Sequence, residues 1–335
     1  MSPSSRVTPK VHRVPIRLAV AALVSLSGAC DDSKSKPRPQ PSAKTAASAT
    51  ASASPTAEPT FPKLVKVEGF QTPESIRYDP DSDLYLVANI NGAPLAMDGN
   101  GFISRVKPDG TIAELQWIDG TKDGVTLSAP KGMALSGGVL YVADVTHLRK
   151  FDQKTGAPKG EIEIAGATFL NDVATGPDGT VYVSDSGLQQ GEKGFEPSGT
   201  DAVYRIDAEA GTAKAIAKGK ELDRPNGLFV DEAGVWVVTF GAGELYRIGS
   251  DGKRADLHKL PAGSLDGIVG LPDGRLLISS WATKTVYRGP KHGPFKPLVE
   301  RVSAPADIGY DTKRNRLLIP RFNDHIIELR ILDAP

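Results

Sequence analysis

The feature that most limits what this chain can fold into is a unit of short apolar strands and tight turns that recurs along it. It is clearest at residues 264–289, SLDGIVGLPDGRLLISSWATKTVYRG. Asp266 opens this copy, the apolar run Ile268 to Leu271 follows, and Pro272-Asp273-Gly274 turns the chain into a second run. Pro presets φ at the first turn position, Asp bonds nearby backbone and Gly accepts the positive φ, so the tripeptide joins two antiparallel strands. The other copies align on the residue that opens each first strand: Glu74, Gly132, Asn171, Asn226 and Asp307. Each is followed by a second strand such as LYLVAN, VLYVAD or VWVVTF, and then by a third. The openers lie about 40 residues apart, and insertions at 89–101 and 186–201 account for two longer gaps. That period, with several strands per unit, is the signature of propeller blades.

Six openers predict an all-β, six-bladed β-propeller with four-stranded blades over residues 61–335. The segment FPKLVKVEG at 61–69 matches the outer strands that precede other openers, while the last blade runs out of chain before its fourth strand. The N-terminal strand is therefore predicted to complete the last blade, which leaves no open sheet edge.

Charge narrows the function. With 40 basic and 40 acidic side chains the net charge is zero, and no basic stripe is interleaved with aromatics, so nucleic acid is not an expected partner. The single cysteine, Cys30, excludes an intrachain disulfide and a cysteine-based zinc cluster. It follows the apolar segment Leu18 to Leu26, itself preceded by Arg6, Lys10, Arg13 and Arg17. This is the layout of an export signal, here residues 1–29, and too short to span a bilayer. Residues 30–60 are rich in Ser, Ala, Thr, Pro and Lys and read as a disordered tether with a reach of roughly 30 Å.

The openers carry the chemistry. The innermost strands of a propeller start at one rim, so these residues converge on the axis as Glu, Gly, Asn, Asn, Asp, Asp. Asn and Asp favour strand-opening turns on their own account. As a set, carboxylates and amide oxygens around one axis also match a hard divalent cation, and calcium takes six to eight oxygens.

Pro73-Glu74, Asn171-Asp172, Pro225-Asn226-Gly227 and Asp266-Gly267, in that order and register, resemble the senescence-marker-protein/gluconolactonase family. That family includes regucalcin-like lactonases and diisopropylfluorophosphatase, and the likeness covers about residues 62–331. It implies a central metal held by Glu74, Asn171, Asn226 and Asp266, with Ca2+ expected ahead of Mg2+, Mn2+ or Zn2+. It further implies a metal-dependent hydrolase of lactone, ester or phosphotriester substrates, in which Asp266 is also the catalytic base or nucleophile. Asp172 and Asp307 are expected either to orient ligands and water or to cap turns. The lactonase family's arginine before the Asn-Asp pair is replaced here by Ala167-Thr168-Phe169-Leu170, which argues against a sugar-acid lactone. LSGAC at 26–30 resembles a bacterial lipobox, implying lipidation of Cys30 and a membrane-anchored protein of the periplasm or cell envelope. Ser27-Gly28-Ala29 equally allows ordinary cleavage and secretion.

The loops after the second strands return to the same rim. They bring Asn89, Asn91, Asp144, His147, Asp185, Ser186, Phe240, Trp281 and Phe322 toward it. Phe169, Phe240, Trp281 and Phe322 are expected either to ring the mouth and favour a partly apolar small-molecule substrate, or to fill the core between blades. His147 is read as a candidate substrate-side residue or a surface histidine. A monomer is expected. The alternative function is a non-catalytic binding module, since propellers serve both roles; two axial carboxylates, Glu74 and Asp266, speak for a cation between them.

Overall fold

In the computed structural model, which describes residues 61–333, the repeat forms six four-stranded antiparallel sheets arranged as propeller blades. Blade 1 runs from the inner strand Pro73–Asp79 through Leu84–Asn89 and Phe102–Val106 to the outer strand Ile112–Asp119. The inner strands of blades 2 to 6 are Pro130–Ser136, Leu170–Thr175, Pro225–Asp231, Leu265–Gly270 and Gly309–Asp311. Second strands such as Val139–Asp144 are almost wholly buried, because neighbouring blades cover both their faces. Outer strands such as Pro158–Glu163 face water and are polar, with Ile162 alone buried. The export signal, Cys30 and the tether lie outside the described residues.

The predicted closure is present. Leu64–Glu68 pairs antiparallel with Ile326–Ile331, from Leu64 opposite Arg330 to Glu68 opposite Ile326, and so supplies the outer strand of blade 6. Val67, Ile327 and Leu329 of that blade pack against Ile76, Tyr85 and Val87 of blade 1. Six apolar clusters each fill one interface between adjacent blades, so the core is a ring of wedges around the axis. Each fully buried Leu, Ile or Val stabilises the assembly by about 1.5–3 kcal/mol.

A bulge sits where the strand-opening residues lie. In blades 1 to 5 the pairing of inner with second strand breaks just after the first residue, at Pro73, Pro130, Leu170, Pro225 and Leu265. A bulge leaves a residue unpaired and re-aims its side chain, here toward the axis. In blade 6 the bridge between Pro305 and Arg321 marks the same point. The first ring of axial residues is therefore Glu74, Lys131, Asn171, Asn226, Asp266 and Ala306. One residue deeper lie Ser75, Gly132, Asp172, Gly227, Gly267 and Asp307.

This register corrects two of the openers. Blade 2 contributes Lys131 rather than Gly132, and Asp307 lies in the deeper ring. Asp307 is drawn down because the inner strand of blade 6 is short and zips to blade 1 instead: Asp307 N donates to Glu74 O at 2.9 Å, and Ile76 N donates to Asp307 O at 3.2 Å. Gly132 is required by close approach, since a Cβ there would sit 2.3 Å from Asp172 Oδ1 and 2.8 Å from Asn171 O. Gly132→Ala is expected to lower stability by about 1–3 kcal/mol, as overpacking does; urea denaturation measures it, and an unchanged midpoint would remove the constraint.

Candidate active site

The first axial ring floors a cavity of about 300 Å³ at the mouth of the propeller. Glu74, Lys131, Asn171, Asn226 and Asp266 all line it. Much of the wall comes from the residue following a second strand: Ile90, Phe240, Trp281 and Phe322. Their backbone N–H groups donate to Thr72 O (3.1 Å), Arg224 O (3.0 Å), Ser264 O (2.9 Å) and Ala304 O (3.1 Å) respectively. Each acceptor immediately precedes the bulged segment, so one repeated bond sets both floor and wall. Trp281 meets Phe240 edge-on at 5.9 Å and Phe322 at 5.1 Å, while Phe169 meets Phe195 edge-on at 5.7 Å.

Both insertions contribute to the wall. The second forms a hairpin, Leu188–Gly191 with Gly194–Pro197, that brings Leu188 and Phe195 over the cavity. Thr168 Oγ1, in hydrogen-bond contact with Ser198 Oγ at 2.7 Å and Thr200 Oγ1 at 2.8 Å, ties that hairpin down. The first insertion places Pro94 in the wall and Leu95 against the cluster of Ile90, Ala129 and Val145.

The floor is rich in uncommitted oxygen. Glu74 Oε2, Asn226 Oδ1 and Asp266 Oδ1 are buried without a hydrogen-bond partner. Trp281 Nε1 donates to Asp266 Oδ2 at 2.6 Å and fixes that carboxylate with Oδ1 free. Asn171 Nδ2 donates to Ser186 Oγ at 3.0 Å, and Ser186 Oγ donates to Pro225 O at 2.7 Å, which leaves Asn171 Oδ1 as the free atom. Each buried orphan costs about 1–3 kcal/mol, and together they form the hard oxygen set a divalent cation compensates. Among the described residues no group of three or more His, Cys, Asp or Glu side chains forms a metal cluster, so the fit depends on amide oxygens beside two carboxylates.

Burial raises the Glu74 and Asp266 carboxyls well above their ordinary range, and neighbouring carboxylates add to it: Asp266 and Asp307 for Glu74, Asp307 for Asp266. Lys131 is 1% exposed. Burial lowers its pKa to about 8, opposed by Asp144 and Glu74.

Beneath this floor Asp172 and Asp307 share Arg77. Its Nη2 lies 3.0 Å from Asp172 Oδ1 and 2.7 Å from Asp307 Oδ2. Arg77 also donates to Met133 O at 2.8 Å and Ile308 O at 2.9 Å, bridging blade 1 to blades 2 and 6 beneath the cavity. Asp172 accepts further bonds from Val173 N and Leu228 N, both at 2.7 Å, and so staples blade 3 to blade 4.

The residues singled out from sequence thus separate. Glu74, Asn171, Asn226, Asp266, Phe169, Phe240 and Trp281 come together at the cavity, and Asp172 and Asp307 lie directly beneath it. His147 does not line the cavity; it contacts Thr146 Oγ1 and lies 4.0 Å from Glu161 in its own blade. Asn89, Asp144 and Asp185 turn back to cap the incoming loops, accepting from Gln71 N (3.0 Å), Ala129 N (2.7 Å) and Phe169 N (2.9 Å). Lys131 and Arg77 were missed. Pro130-Lys131-Gly132 has the frame of Pro225-Asn226-Gly227, and Arg77 is a charge inside an innermost strand; both were signals.

No family model matches the chain, and no curated protein matches it. Solved structures do share its fold. A gluconolactonase from Xanthomonas campestris superposes with a TM-score of 0.59 at 18% identity, over 79% of this chain and 88% of that one. A putative gluconolactonase gives 0.60 at 18% identity over 81% and 93%. A streptogramin B lyase gives 0.55 at 13% identity over 80% and 97%. The likeness is one of fold: the chain is a six-bladed propeller similar to these structures.

Proposed function

We propose that the chain is a metal-dependent hydrolase of lactone, ester or phosphotriester substrates, working at the mouth cavity. The observation that carries this reading is the set of buried, unpartnered oxygens, Glu74 Oε2, Asn226 Oδ1 and Asp266 Oδ1, aimed at one floor under apolar walls. These atoms, with Asn171 Oδ1, would hold the ion, Ca2+ foremost. When bound, a divalent cation polarises a carbonyl or phosphoryl oxygen as a Lewis acid. Asp266, held by Trp281, takes the proton of the attacking water as the water oxygen bonds to the acyl carbon. The C–O bond to the leaving alkoxide then breaks, and the alkoxide takes up that proton. Phe169, Phe240, Trp281 and Phe322 hold the apolar part of the substrate and exclude other water. A screen of lactones, aryl esters and phosphotriesters tests this: turnover that disappears with EDTA and returns with calcium supports it, and no turnover by a calcium-loaded protein counts against it.

One observation favours the second reading, a non-catalytic binding cavity. Lys131 and Arg77 place protein cations among the axial carboxylates, so Glu74 and Asp266 do not by themselves demand a metal. The N-terminal reading stands as part of the proposal: export, then anchoring to the membrane through lipid on Cys30, tested by fatty-acid labelling that Cys30→Ala abolishes.

The raised carboxyl pKa values have a definite consequence for pH. A group whose folded pKa exceeds its unfolded value stabilises the fold fully below the unfolded value, and that contribution is lost as pH rises through the folded one. Without metal, the Glu74 and Asp266 contributions therefore decline as pH rises from the ordinary carboxylate range of about 4. A cation needs the ionised forms, so the increase in melting temperature on adding calcium is expected to grow between about pH 5 and about pH 8. Melting scans with calcium and with EDTA measure it; a calcium effect that shrinks with rising pH would contradict the assignment.

A further inference from the structure

Lys131 occupies the blade 2 position in the same ring as Glu74, Asn171, Asn226 and Asp266, and it lines the cavity. It is 1% exposed, and its one side-chain hydrogen bond goes to Ala129 O at 3.0 Å. It has no ion-pair partner among the described residues. The nearby Asp144 is committed elsewhere, to Ser128 N, Ala129 N and Arg149 Nε. Nζ lies 4.7 Å from the centroid of the Phe169 ring, which faces the same cavity. An ammonium carries three donors, and here one is used. Burying a charge without partners is costly, so two free donors at the floor of a ligand-sized cavity point to a ligand that accepts them.

We propose that Lys131 Nζ is the cavity's anion-receiving group, selecting a single-ring acyl substrate whose ring packs against Phe169 and Trp281 and whose acyl oxygen, or product carboxylate, accepts from Nζ. This rests on the hydrolase reading for the reaction and names its substrate class. In the hydrolysis above, the oxygen that gains charge is the acyl oxygen, and the product is a carboxylate; both suit an ammonium donor. Burial lowers the amine to about 8, opposed by Asp144 and Glu74.

The test is calorimetry of the full chain with phenylacetate and with its neutral isostere phenylacetamide, in EDTA and again with calcium. The parent is expected to bind the carboxylate at least about tenfold more tightly than the amide in EDTA, the value of a charged hydrogen bond. Lys131→Met is expected to remove that preference and Lys131→Arg to keep part of it. Melting scans show whether Lys131→Met is folded; Lys131→Gln, neutral and still able to donate to Ala129 O, takes its place if it is not. A preference that survives loss of the amine, or a parent with none, overturns the inference. Lys131-dependent preference in a protein that hydrolyses nothing keeps the inference and removes the hydrolase reading; turnover without that dependence does the reverse.

Discussion

Replacing Arg77 with methionine is expected to lower the stability of the propeller by about 3–5 kcal/mol, the loss typical of breaking a buried ion pair from one side. Arg77 is the shared partner of Asp172 and Asp307, whose side chains are 1% and 2% exposed. It also satisfies the Met133 and Ile308 carbonyls, so it ties blade 1 to blades 2, 3 and 6 at the axis. Burial, with Asp307 next, already raises the Asp172 carboxyl well above its ordinary range. Without Arg77 the two acids repel each other in a medium that cannot screen them, and protonation is their remaining relief. Chemical denaturation measures the loss. Adding Asp172→Asn and Asp307→Asn to Arg77→Met is expected to recover part of it; a single variant within about 1 kcal/mol of the parent would contradict this role.

Asp266→Asn is expected to separate stability from function. Hydrolysis and cation affinity should fall by at least about 100-fold, since the substitution removes a charged ligand and the proton acceptor together. Stability in EDTA at neutral pH should rise, because the carboxyl it replaces is raised by burial first and then by Asp307. An amide keeps the shape and the acceptor for Trp281 Nε1 without the charge. Paired assays and EDTA melting scans read the two effects; a variant that melts lower than the parent while retaining activity would place Asp266 among structural residues.

The architecture was legible because each blade repeats one local pattern: a turn, a buried second strand and an exposed outer strand. Closure was legible too, since residues 61–69 have the pattern of an outer strand with no blade of their own. The axial register was less so. Aligning apolar runs locates an inner strand to within a residue, but the bulge decides which side chain faces the axis, and it does not show in hydrophobicity. Hence Gly132 displaced Lys131, and Asp307 was set one ring too high. Asn89, Asp144 and Asp185 reach the right rim, yet the unpaired N–H groups of the incoming loops claim them first. His147 begins a third strand, and strand alternation directs it to Glu161 rather than to the cavity. The aromatic wall needed only one rule, that the residue after a second strand bonds the carbonyl before the bulge, and Phe240, Trp281 and Phe322 obey it.

The most direct test of the central claim is a calcium titration of the folded full chain by calorimetry, at neutral pH after EDTA treatment, with Glu74→Gln and Asp266→Asn in parallel. The axial oxygen site predicts about one ion per chain, with binding lost in both variants and retained in Lys131→Met. A folded parent that takes up no calcium, or that binds it equally well without Glu74 and Asp266, would contradict the site.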